Sequence, residues 1–245
     1  MLTKEELYVQ NEMPDWNEIS MRLYKEFSTD CLFTKIFRYH FVNGSYIDVV
    51  FKEWAMKHLW GLQHVTNIKK NKLFDEIDKG LTFETLADTK GKKKRLNDNK
   101  DRIRMFACIC YVLKTGATFY VQGGQLDNSL VRINYIRSKI ISQKGVNVGM
   151  RYEENAYVPL TLLIDRAINP TKTITGLIPM KVSKLEIIEN GNIIEDVHYK
   201  YYEKFHERKS SSLQIREQMK RPSCFSANTY CEKMKRIKLR NLKRK

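Results

Sequence analysis

The chain has no apolar stretch long enough to cross a bilayer. Its longest runs, such as Phe106 to Leu113, fall far short of the roughly 20 residues a spanning helix needs. Met1 to Asp15 contains no apolar h-region, so no secretory leader is expected there. Proline and glycine are scarce, 5 and 11 in 245 residues, so most of the chain is expected to fold. Cysteine is sparse and odd in number, 5, which fits reduced thiols better than a disulfide framework. Cys108 and Cys110 fall within an apolar helical pattern. Cys224 and Cys231 have no histidine at zinc-ligand spacing. Walker, Rossmann and nucleophile-elbow patterns are absent, and the 5 histidines are scattered without a neighbouring carboxylate pair. These absences lead to an expectation of a cytoplasmic protein with no metal, no cofactor and no membrane partner.

Negative charge is the other deficit. Asp and Glu total 28 against 44 Lys and Arg, a net charge of +16, and the imbalance is uneven. Residues 200–245 hold 15 basic and 4 acidic residues, whereas the first 199 hold 29 and 24. A mildly basic body with a polycationic tail favours an anionic polymer as partner, nucleic acid ahead of membrane.

What is present begins with a hairpin. Phe37, Tyr39 and Phe41 alternate with polar residues, Asn43-Gly44 supplies a two-residue turn, and Tyr46 to Phe51 returns. His58 follows, held between large apolar residues in a segment closed by Gly61. Before the hairpin, residues 1–15 read as flexible. Asp15 caps a helix beginning near Asn17, with Ile19, Leu23 and Phe27 inward to about residue 31. After it, Asn71 to Lys79 reads as a helix ended by Gly80, and Thr82 opens a short one through Leu86. Lys90 to Arg95 reads as a solvated basic loop, either an ordinary charged turn or an unspecific phosphate contact. Arg102 to Lys114 reads as one central helix, apolar on most sides. Thr118 to Val121 is a strand and Gln122 to Asn128 a Gly-rich loop. Val131, Ile133 and Tyr135 alternate, with a phase shift at Ile136 that implies a bulge or two elements. Turns at Lys144-Gly145 and Glu154-Asn155 then make an antiparallel meander. Leu185–Glu189, Asn190-Gly191 and Ile193–Val197 form a second hairpin, and from Tyr199 the chain reads as a basic helical or partly disordered tail.

The expected fold class is α+β. N-terminal helices and a hairpin pack with a central helix on an antiparallel meander, followed by the basic tail. The domain reading is 16–168 as the folded domain, 169–198 as a hairpin extension and 199–245 as the tail. The chemistry left on offer is histidine acid–base work beside basic side chains, suited to a phosphodiester. From the residues alone His58 is also readable as a packed structural histidine.

The order of elements resembles a family of the barnase/EndoU/colicin/RelE-like (BECR) fold, a nuclease group found in phages and mobile elements of Gram-positive bacteria. The residues that carry the resemblance are Ile47 to Glu53, His58-Leu59-Trp60-Gly61-Leu62, Phe74 to Ile77, Arg102-Ile103 and Tyr157 to Thr161. Together they cover roughly residues 16–166, and the His-Leu-x-Gly-Leu block is the most specific part. The chain departs from the family at Met56, where an aromatic is usual, and at Pro159-Leu160-Thr161, where Pro-x-Ser is usual. The resemblance implies metal-independent RNA cleavage. The ribose 2′-hydroxyl attacks the adjacent phosphate, leaving a 2′,3′-cyclic phosphate and a 5′-hydroxyl. It implies His58 as acid or base, Arg102 as electrostatic clamp, and Thr161 and Tyr152 as hydrogen-bond donors. Lys72, Arg104, Lys92, Lys93, Lys94 and Arg95 are candidate nucleic-acid contacts, and His40 and His64 are held in reserve. RNA, transfer RNA among it, is the implied substrate, with an antitoxin or immunity protein as a further partner. Two alternatives stand beside this reading. One is a non-catalytic nucleic-acid-binding protein on the same fold, and the other is a phage accessory protein that docks another protein through its tail.

Overall fold

In the computed structural model of the chain, residues 1–87, 90–115, 118–122, 134–165 and 177–199 are described. The N-terminus is ordered by a capping box. Thr3 accepts from the Glu6 amide at 3.2 Å, and the Glu6 carboxylate accepts from the Thr3 amide at 2.7 Å. This opens α1 (Lys4–Val9), which buries Leu7 fully, so residues 1–15 are not the flexible segment that their polarity implies. Asp15 and Glu18 form a second box around a single 3₁₀ turn, Trp16–Glu18. Ser20, rather than Asp15, caps α2 (Met21–Phe27), which sends Met21, Leu23, Tyr24 and Phe27 inward. The helix widens into a π turn over Ser28–Leu32.

Two strands follow, β1 (Lys35–Phe41) and β2 (Tyr46–Val50), with Phe37, Tyr39 and Phe41 buried on one face. Their connection is not the two-residue turn that Asn43-Gly44 predicts. The Phe41 amide donates to Ser45 at 2.8 Å and the Gly44 amide to Phe41 at 3.0 Å, which leaves a three-residue loop. Only Gly44 takes a positive φ, +83°, as the last position of such a loop requires. The chain then forms α3 (Glu53–Leu59), α4 (Leu73–Asp78), α5 (Phe83–Leu86), α6 (Lys90–Asp98), α7 (Lys100–Phe106) and α8 (Ile109–Lys114). Gly80 ends α4 at φ +99° and Thr82 caps α5, both as the sequence indicates.

The basic stretch Lys90 to Arg95 is helical rather than a loop: Gly91 is tolerated inside α6, and Leu96, 5% exposed, anchors that helix. The expected single helix over 102–114 is two. Ala107 and Cys108 donate to carbonyls three residues back, at 3.2 and 3.0 Å, and so break the α ladder. The break and the C-terminal end of α8 both leave carbonyls needing donors, and tyrosines supply them. The Tyr24 hydroxyl donates to Ile103 at 2.8 Å, and Tyr39 donates to Leu113 at 2.9 Å. Tyr199 donates to Lys114 at 2.6 Å. Arg137, fully buried, sets its guanidinium 3.3 to 3.5 Å from the carbonyls of Val112, Leu113 and Thr115. A cation is well placed there, at the negative end of α8.

The remaining strands are β3 (Thr118–Gln122), β4 (Tyr135–Ile141), β5 (Lys144–Glu153), β6 (Ala156–Asp165), β7 (Leu177–Glu189) and β8 (Asn192–His198). The sheet runs β1-β2-β6-β5-β4-β3-β7-β8, with β1 also paired to β7. All pairings are antiparallel except β2–β6, which is parallel at Val49 and Tyr157. The architecture is α+β with a largely antiparallel sheet, and β3 to β6 form the expected meander. Two features depart from expectation. The β4–β5 turn is Ser142-Gln143, both at positive φ, and not Lys144-Gly145. The β7–β8 hairpin is no appended extension over 169–198: Phe37 lies between Val49 and Ile187, so β7 pairs directly with the first strand. Residues through His198 share one compact unit with Met1. The Gly-rich loop from residue 123, the alternation at Val131 and Ile133, and the tail from Lys200 lie outside the described residues, as does the Lys92 side chain.

The helices pack through an aromatic cluster. Tyr24 lies 5.6 Å from Trp60 and 5.0 Å from Phe106, and Trp60 lies 5.7 Å from Phe106 and 5.8 Å from Phe74. Trp60 and Phe74 are stacked, and the other pairs are tilted or edge-on, which at these separations suits ring quadrupoles. Tyr24→Phe keeps the ring and orphans the Ile103 carbonyl, so chemical denaturation should show a loss of about 1–3 kcal/mol. Trp60→Ala should cost about 3–5 kcal/mol. An unchanged unfolding midpoint in either variant would contradict the packing described.

Candidate active site

Beyond β2, Phe51 is buried and Lys52 enters α3 in an extended conformation. Ala55, Met56 and Leu59 point into the protein. Trp54 and His58, four residues apart and therefore on one side of the helix, are half-buried. Trp54 and Ala55 rest on Val158 and Leu160 of β6. Gly61 closes the helix at φ +75°, with its amide donating to the His58 carbonyl at 3.0 Å.

That carbonyl is shared with Arg102 of α7. The Arg102 Nη2 donates both to the His58 carbonyl and to Thr161 Oγ1, the latter at 3.3 Å. Its aliphatic stem crosses directly over Gly61, where a Cβ would stand 2.8 Å from Arg102 Cδ. Glycine is needed there twice over, for its φ and for the close approach. Thr161 reaches this point through a β-bulge. Gly149 pairs with Thr161 and Met150 with Pro159, so Leu160 has no opposite residue and the strand re-aims its side chains. Thus His58, Gly61, Arg102 and Thr161, drawn from two helical segments and a strand, converge on one spot.

The electrostatics of this spot are one-sided. Burial lowers the pKa of Arg102 to about 10, which still leaves it charged at neutral pH. Among the described residues it forms no ion pair, and its buried Nε has no hydrogen-bond partner. The His58 imidazole is held below its ordinary 6.5, first by burial and then by the charges of Arg102, Lys57, Lys70 and His64. Neutral imidazole is therefore the favoured form at pH 7. Lys57, lowered by burial, spends its ammonium on the Ile68 carbonyl at 2.6 Å.

The other expected residues stand elsewhere. Tyr152 is 50% exposed and packs 5.1 Å from Tyr157, with no hydrogen bond, ring contact or ion pair to His58 or Arg102. Lys72 is exposed and bound to Asp75 at 2.8 Å. Arg104 is used structurally, donating to the Pro14 carbonyl at 2.5 Å and to Asp15 at 3.3 Å. Lys93, Lys94 and Arg95 are exposed on α6, and Arg95 reaches the His64 carbonyl at 3.4 Å, which brings the end of that helix near the histidine turn. His40 is bound to Glu186 at 2.9 Å; together with Lys184 it holds that carboxyl at about 2. No group of three or more His, Cys, Asp or Glu side chains is placed to hold a metal ion among the described residues.

Sequence reasoning missed Trp54, Lys70, Lys52 and Arg151. Lys70 Nζ lies 4.6 Å over the Trp54 ring, and Lys52 and Arg151 line the same cleft. The available signal was the four-residue spacing of Trp54 and His58, which has meaning only once residues 53–59 are read as helix. Compared with protein-family models, with curated proteins and with solved structures, the chain matches none of them.

Lys70→Gln removes one of the cations that depress His58. The imidazole resonances of His58 should titrate below 6.5 in the parent protein and at a higher midpoint in the variant. An unmoved midpoint would show that Lys70 does not act on the ring.

Proposed function

We propose that the protein is a metal-independent endoribonuclease of the phage-associated BECR type, acting on RNA in the cytoplasm. The observation that carries this reading is a neutral-leaning histidine beside a half-buried arginine that no carboxylate among the described residues neutralises. Such a pairing suits phosphodiester chemistry, because the base is unprotonated at pH 7 and a fixed positive charge waits for the phosphorane. His58 takes the proton from the 2′-hydroxyl. The 2′-oxygen then attacks phosphorus, and the 5′-oxygen leaves and is protonated. His64 is the candidate donor of that proton, since it is exposed and its charge is felt at His58. Arg102 acts from beneath. It holds the His58 backbone and Thr161 with one nitrogen and contributes charge, so its first role is positioning. The basic tail adds unspecific affinity for the strand.

One observation favours a second reading. The His58 ring makes no hydrogen bond to a described residue, whereas a catalytic histidine usually has an orienting partner. In that reading the protein binds nucleic acid without cutting it.

End-labelled RNA in EDTA separates the two. Cleavage should occur with the parent protein and fall about 10²–10⁴-fold in His58→Ala. The rate should rise with pH through a midpoint below 6.5, because the folded protein depresses the pKa of the required neutral base. Salt-sensitive retention of intact RNA, equal in parent and variant, would overturn the nuclease reading in favour of the binding one.

A further inference from the structure

Beside His58 on the same side of α3 lies a cleft of about 220 Å³ lined by Lys52, Trp54, Lys70, Arg151, Glu153 and Glu154. Its volume falls below the usual range for drug-sized ligands, about 300–1,000 Å³, and suits a single monomer unit of a longer chain. Three cations, two carboxylates and one aromatic ring converge there. Trp54 packs against the cluster that holds Val158 and Leu160 of β6, and Lys70 Nζ lies 4.6 Å over its ring. Lys70 is exposed, so its ammonium leaves the ring without a desolvation cost. Arg151 and Lys52 are held by Glu153 and by Glu154 (3.9 Å for the latter), carboxylates that a phosphate can replace as partner.

We propose that this cleft is the subsite for the nucleotide adjoining the scissile phosphate of a single-stranded RNA. Its base stacks on Trp54 in place of the Lys70 ammonium, and its phosphate is held by Lys52, Lys70 and Arg151. The assignment rests on the nuclease reading for the phosphate at His58, which stands one helical turn from Trp54. Single-stranded RNA is favoured over an acidic peptide because a flat aromatic platform with a ring of cations matches alternating bases and phosphates. Stacking of this kind is tolerant of base identity and is worth about 1–3 kcal/mol per base. A base paired within a duplex could not reach the ring.

The test uses the full chain and a 2′-O-methyl oligoribonucleotide, which binds but lacks the attacking hydroxyl. Binding is read by fluorescence anisotropy at salt high enough to screen the tail. Trp54→Leu, which keeps an apolar contact with Val158 and Leu160, should weaken binding at least about fivefold, and Trp54→Phe should stay within about threefold. Lys70→Gln should weaken binding and flatten the salt dependence by about 0.7 in log–log slope, one phosphate contact of a single strand. An oligomer with abasic sites should bind the parent protein as weakly as the intact oligomer binds Trp54→Leu. Unchanged affinity in folded Trp54→Leu, or abasic binding equal to that of the intact strand, would overturn the subsite even if His58-dependent cleavage holds. Loss of affinity in Trp54→Leu without any cleavage of natural RNA would keep the cleft as a nucleotide-binding site and sink both the nuclease reading and the cleft's place beside a scissile phosphate. Stronger competition by an acidic peptide than by the oligomer would assign the cleft to a protein partner instead.

Discussion

The Arg102 guanidinium at the end of α3 is the contact on which the candidate site depends. A helix that terminates inside a protein leaves carbonyls without intrahelical donors, and these must be satisfied or they cost free energy. Here the His58 carbonyl is satisfied twice, by the Gly61 amide and by Arg102. The arginine pays for its own burial only in part, since its Nε remains without a partner. What results is a positive charge fixed under a histidine and tied to the sheet through Thr161. The His-Leu-x-Gly-Leu block acquires a physical meaning from this. Leu59 and Leu62 are buried anchors, Gly61 admits the arginine stem, and the half-buried His58 offers its carbonyl to Arg102.

The same logic recurs at the other helix ends of the core. Tyr24, Tyr39, Tyr199 and Arg137 each supply donors to carbonyls that the broken helices α7 and α8 release. Polar groups thus fix the helices against the sheet at defined points, while the aromatic cluster around Trp60 supplies bulk burial. Directional contacts of this kind restrict the helices to one register, which apolar packing alone does less well. A rigid floor under α3 is what a precise site on so short a helix requires.

The parts legible in sequence are those governed by neighbours along the chain. Gly80 and Thr82 mark their helix boundaries, Glu154-Asn155 and Asn190-Gly191 mark their turns, and the alternation from Val146 to Ile164 marks the meander. The convergence of His58, Arg102 and Thr161 joins residues far apart in the chain, which no periodicity reports. Illegible parts depend on distant partners. The pairing of β7 with β1 joins residues about 150 apart, which no local pattern reports. Helix α3 was hidden because its seven residues mix large apolar and charged side chains, and with it went the relation of Trp54 to His58. The break at Ala107 interrupts an apolar run that looks continuous. Arg104 and Lys72 were indistinguishable from phosphate contacts until Asp15 and Asp75 were seen beside them.

The central claim is that His58 activates a ribose hydroxyl against the neighbouring phosphate. It is tested most directly on an end-labelled DNA strand carrying one ribonucleotide, incubated with the full chain in EDTA. The account predicts a single cut 3′ to that ribose, leaving a 2′,3′-cyclic phosphate on one fragment and a 5′-hydroxyl on the other. Cleavage at deoxynucleotides, or a 3′-hydroxyl terminus at the ribose, would contradict it.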